Sequence, residues 1–69
     1  MIEFAKRLKR ERNFSGLTQK QMAELLNIPL RRYEAYEALG THNRTPDIEL
    51  IAKMAEVLDI STDVLLGRR

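Results

Sequence analysis

The chain has 69 residues, too few to build a second core, so a single domain over residues 1–69 is expected. It has no cysteine, which removes disulfide staples and thiolate metal sites, and no apolar run near the roughly 20 residues of a membrane span. No signal-peptide pattern opens it, so a soluble cytoplasmic domain with no membrane partner is the expectation. The net charge of +2 is small but unevenly spread: residues 1–46 hold nine Lys/Arg against five Asp/Glu, and residues 47–69 hold three against five. A nucleic-acid surface, if there is one, belongs to the basic first two-thirds.

From Met1 to about Asn13, Ile2, Phe4, Ala5 and Leu8 supply an apolar side, and Lys6, Arg7, Lys9, Arg10 and Arg12 take most other positions. That is an amphipathic first helix, stopped by Ser15-Gly16. Its basic run either meets phosphates or keeps the helix solvated. Thr18 with Gln21 three residues on makes a capping box, and Met22, Ala23, Leu25 and Leu26 form the apolar stripe of a short second helix. Asn27 suits a turn at positive φ. Pro29 fits only at or near a helix start, so the third helix runs from Pro29 or Leu30 to about Leu39, ended by Gly40.

Residues 41–46 form a polar loop rich in turn formers. Asp47 opens a fourth helix, whose buried face is read from Ile48, Ile51, Ala52, Ala55 and Leu58. Ser61 or Thr62 caps a short fifth helix carrying Val64, Leu65 and Leu66, closed by Gly67. Five helices and no strand give an all-α fold.

Only a few residues around Asn27 join the second and third helices, which therefore cross steeply as a helix-turn-helix at roughly residues 19–38. Met22, Leu26, Ile28, Tyr33 and Tyr36 fill its inner face, and Ala23 keeps the crossing close. Leu30, Arg31, Arg32, Glu34, Ala35 and Ala38 point outward. Met22 and Met54 read as core fillers, and the two tyrosines as core residues with wet hydroxyls.

Leu17-Thr18-Gln19, Ala23, Leu26 and Tyr36-Glu37, with the loop ending in Pro46 and the closing run Leu58 to Gly67, resemble the lambda-repressor-like, or Cro-type, helix-turn-helix family of XRE-like transcriptional regulators. The resemblance covers nearly the whole chain and implies the five-helix lambda-repressor-like fold. It implies that Gln19 reaches a DNA phosphate and that Leu30, Arg31 and Ala35 stand at base-reading positions. It implies that Arg12 and Glu37 form an ion pair tying the first helix to the third. Thr41, His42, Asn43 and Arg44 match the segment that donates to the DNA backbone. Arginine near the start of a recognition helix can make two hydrogen bonds to guanine, which makes Arg31 the first choice for base contact. Arg32 reads a base beside it or holds a phosphate.

The chain departs from the family pattern in several places. Pro29 replaces the usual Ser/Thr cap, Asn27 the usual glycine, and Tyr33 a branched aliphatic that would otherwise fill the inner core. The loop before Pro46 is two or three residues longer, Leu30 is apolar where a polar reader is common, and residues 28–38 carry no net charge.

Other chemistry finds little footing. His42 is the single histidine, too few for a zinc ligand set, and reads as a loop residue. No base is spaced to activate Ser15, Thr18 or Ser61, and no carboxylate pair is set for acid–base work, so no catalytic residue, cofactor or small-molecule site is expected. The expected function is sequence-specific binding of double-stranded DNA by a repressor-type regulator. A homodimer would place two recognition helices about 34 Å apart in successive grooves. Ile60, Val64, Leu65 and Leu66 would serve that dimer or merely close the core. The alternative is a protein-interaction module of the same fold, antitoxin-like or adaptor, with weakened DNA reading.

Overall fold

The computed structural model describes residues 2–68; for Ile2 only the backbone is described. Among the described residues five helices follow one another: α1 (Ile2–Phe14), α2 (Gln19–Leu26), α3 (Leu30–Glu37), α4 (Ile48–Leu58) and α5 (Thr62–Leu66). The starts of α2, α4 and α5 carry local signals. Thr18 Oγ1 accepts from the Gln21 N–H at 3.0 Å while the Gln21 side chain accepts from the Thr18 N–H at 2.9 Å, closing the capping box. Asp47 caps α4 through the Leu50 N–H at 2.8 Å, and Ser61, not Thr62, caps α5 through the Val64 N–H.

Four of the five helices end the same way. Gly16 (φ 74°), Asn27 (φ 58°), Asp59 (φ 57°) and Gly67 (φ 76°) each turn left-handed, and the next residue's N–H reaches back to a carbonyl of the last turn. Helix α3 is the exception. It stops at Glu37 rather than Leu39, with Ala38 extended (φ −67°, ψ 144°), so Gly40 does not close it.

The core collects Phe4 and Leu8 of α1, Met22, Ala23 and Leu26 of α2, Tyr33 and Tyr36 of α3, and Leu65 of α5. Helix α4 contributes Leu50, Ile51, Met54, Ala55 and Leu58, a stripe at i, i+1, i+4, i+5 and i+8. That stripe corrects the sequence expectation for α4: Ile48 is 75 % exposed and Ala52 is also exposed. Ile48 sits in the first turn, and both lie well off the stripe's centre at about 100° per residue. Leu25 likewise faces solvent rather than joining the α2 stripe. Helix α1 rests on α3 and α5, and α2 on α3 and α4, so α3 is held from behind by two helices. Among the described residues, no helix is long and apolar enough to cross a membrane.

Candidate nucleic-acid interface

The turn between α2 and α3 is built by two backbone bonds. With Asn27 left-handed, its N–H reaches Glu24 and the Ile28 N–H reaches Ala23 at 3.0 Å. Pro29 is then the extended residue before α3 and offers no side-chain cap, so the start of α3 is set by the turn and by Tyr33 packing. Tyr33 and Tyr36 are buried, which leaves Arg31, Arg32 and Glu34 on the outside and Ala35 and Ala38 half-buried at its edge.

Because α3 has no left-handed terminator, its last turn takes partners from the following loop. The Ala35 carbonyl accepts from the N–H of Ala38 at 3.3 Å, the N–H of Arg44 at 3.0 Å and the Asn43 side-chain amide at 3.4 Å. This folds the loop back along the helix. His42 and Arg44 come to face Arg31, Arg32, Glu34, Ala35, Ala38 and Pro29 across an open groove of about 670 Å³. Three arginines and one glutamate line it.

The two arginines of α3 are held differently. Arg32 Nε donates to the Tyr36 hydroxyl at 2.8 Å, with its guanidinium carbon 6.0 Å from that ring's centre. One of its five N–H donors is therefore used in fixing its direction along the helix. Arg31 is exposed and has no partner among the described residues.

Behind α3 lies a buried polar cluster. Arg12 donates from Nε to Glu37 Oε2 at 2.7 Å and from Nη2 to Oε1 at 3.1 Å, a two-pronged ion pair with both side chains almost fully buried. Its remaining nitrogen, Nη1, donates to the Leu17 carbonyl at 2.7 Å. The Tyr33 hydroxyl donates to Glu37 Oε2 at 2.5 Å, and Gln19 Nε2 donates to Oε1 at 3.1 Å. One carboxylate thus joins α1, the start of α2 and the end of α3. The bond to Glu37 raises the Arg12 pKa above its usual value, and burial followed by the Glu37 carboxylate raises that of Tyr33 well above the phenol range. The wet hydroxyl expected for Tyr33 is therefore corrected: its oxygen ends on Glu37, not in solvent.

Among the residues singled out from sequence, Arg31, Arg32, Ala35, His42 and Arg44 meet at the one groove. Leu30, 39 % exposed, stands at the start of α3 outside its lining, and Thr41 is exposed but also outside. Asn43 is half-buried with its amide on α3, and Gln19 is turned toward Glu37. Sequence reasoning passed over Pro29 as a wall of the groove and Tyr36 as the anchor of Arg32. The Arg32/Tyr36 spacing of four was a legible signal for the second. The role of Ala35 lies in its carbonyl, which no residue type announces.

Comparison with known proteins gives the family of the chain. The chain is 39 % identical over 67 residues to the HTH-type transcriptional regulator ImmR of Bacillus subtilis, covering 97 % of this chain and 50 % of ImmR. It is 36 % identical over 67 residues to the cryptic phage CTXphi transcriptional repressor RstR of Vibrio cholerae, covering 97 % of this chain and 57 % of RstR. The chain spans about half the length of the curated relatives it matches. No solved structure matches. Residues 8–65, from the middle of α1 to α5, match the sequence profile of the helix-turn-helix family, and the chain belongs to that family, in its XRE/Cro-type branch.

Proposed function

We propose that this domain binds double-stranded DNA as part of a transcriptional repressor, with α3 in the major groove and two copies on a two-fold site. The carrying observation is the groove itself: Arg31 and Arg32 on α3 and His42 and Arg44 on the loop are brought to one open surface. A helix edge bearing arginine can read bases, while flanking cations meet phosphates and supply salt-dependent affinity. Within that division, Arg31 reads a guanine, with Ala35 and Leu30 allowing close approach or touching a thymine methyl. Arg32, steadied by Tyr36, takes a phosphate. Gln19, Thr41, His42 and Arg44 complete the backbone contacts, and Asn43 holds the loop in place. The relatives named as a transcriptional regulator and a repressor support the regulatory reading.

Selection from a random duplex pool, followed by anisotropy titration over a salt series, tests it. A two-fold-related site should emerge, with affinity falling steeply as salt rises. Arg31→Ala should lose about 1–3 kcal/mol of discrimination at one base pair, and Arg32→Ala should weaken all duplexes about equally. A folded domain that binds no duplex at low salt would instead support a protein-interaction module, the reading favoured by the exposed apolar Leu30.

A further inference from the structure

A second groove, of about 640 Å³, lies on the outer face of α1 and shares no lining residue with the first. Its apolar floor is Phe14 and Leu39, which are 84 % and 56 % exposed. Lys6, Lys9, Arg10 and Asn13 complete the lining. The spacing explains the alignment: positions 6, 9, 10, 13 and 14 fall on one side of α1, opposite Phe4 and Leu8 in the core. Leu39 arrives from the extended segment after α3.

We infer that this face is a docking groove for an acidic segment of another protein, one that inserts large apolar side chains between the lysines and Arg10. Phe14 adds nothing to the core from so exposed a position, and with Leu39 it leaves two large apolar side chains open to solvent in one groove. Among the described residues no carboxylate lines the groove. Lys6 and Arg10 meet only Glu3 and Glu11, near neighbours on α1, at 3.9 and 3.4 Å with both cations exposed, and Lys9 has no partner among the described residues. Such pairs are weak and yield to a better-placed anion. A cationic rim around an apolar floor complements apolar anchors flanked by Asp or Glu. DNA phosphates would match the rim but gain nothing from Phe14 and Leu39. A second copy would match the floor but set two cationic rims against each other across a two-fold axis.

The test uses the whole chain and a fluorescein-labelled short peptide carrying Phe and Leu four residues apart among glutamates. One control peptide replaces the apolar pair with serine, and another replaces glutamate with lysine. The first peptide should bind, and both controls should bind at least about tenfold more weakly. Phe14→Ser, and Lys9→Glu combined with Arg10→Glu, should each weaken binding about tenfold with the helical circular dichroism unchanged, because these side chains are on the surface. Arg31→Ala should leave peptide binding as it was. Equal binding of the serine peptide, indifference to Phe14→Ser, or no binding at all overturns the proposal. So does self-association in sedimentation that Phe14→Ser abolishes, which assigns the groove to a second copy. If Lys9→Glu weakens duplex binding and no peptide binds, the groove belongs to flanking DNA.

Discussion

Gln19 and Glu37 are joined by a 3.1 Å hydrogen bond that runs from the first residue of α2 to the last of α3. The amide expected to meet a phosphate is thus held on the carboxylate that also grips Arg12. Because Glu37 keeps three other donors, Gln19 can leave it without stranding a buried charge.

That exchange gives the first prediction. Gln19→Ala should weaken duplex binding by about fivefold with an unchanged salt slope, since a neutral amide displaces no counterion. Arg44→Ala should lower the slope by about 1. Anisotropy titrations at several salt concentrations distinguish the two; equal slopes for all three proteins would remove Arg44 from the phosphate contacts.

The Arg12–Glu37 pair should behave as a buried unit. Either Arg12→Met or Glu37→Met leaves an unpaired charge and should destabilise by about 3 kcal/mol, roughly 12 °C or more in melting temperature for a domain this size. The double variant should lose at least about 2 kcal/mol less than the sum of the singles. Additive losses in urea denaturation would show that the two residues do not act together.

Tyr33 sets a pH dependence at the alkaline end. The folded state holds its proton more tightly than the unfolded chain does, because of burial and then the Glu37 carboxylate. Its contribution is therefore complete below the ordinary phenol value of 10.0 and declines as pH rises past it. Tyr33→Phe should be less stable by about 1 kcal/mol at neutral pH and should lose stability less steeply above pH ~10. Parallel stability curves for the two proteins would contradict this.

The three glycines should answer differently to alanine. Gly40 has no left-handed φ and open space around it, so Gly40→Ala should stabilise by about 0.5 kcal/mol through the unfolded chain. Gly16→Ala meets nothing within 4 Å but must hold φ +74°, which costs about 1 kcal/mol. Gly67→Ala carries the same strain at φ +76°, and its Cβ would also displace the flexible Arg7 guanidinium, so it should cost at least as much as Gly16→Ala. Thermal melts rank them directly.

Much of this molecule was legible along the chain because its signals are local. The capping box at Thr18–Gln21 and the left-handed turns at Asn27 and Gly67 each concern atoms only a few residues apart. The inner face of Met22, Leu26, Tyr33 and Tyr36 followed from helical spacing. The misses have two causes. Ile48, Ala52 and Leu25 are apolar, and periodicity cannot say how wide a stripe the neighbouring helices will cover. The end of α3 was misplaced because Gly40 looked like a terminator, whereas Asn43 and Arg44 close that helix from eight and nine residues beyond Ala35.

Alone, the sequence determined five helices, the tight turn at Asn27 and the division of α3 into a tyrosine side and an arginine side. These depend on backbone propensity and a 3.6-residue period, which are properties of neighbouring residues. Tertiary structure alone decided that Gln19 and Tyr33 end on Glu37, that Arg32 lies against Tyr36, and that His42 and Arg44 border the helix. It also brought Phe14 to Leu39. Such contacts depend on where a folded-back chain puts a polar atom or an exposed ring, and that position is set by the packing of all the helices together.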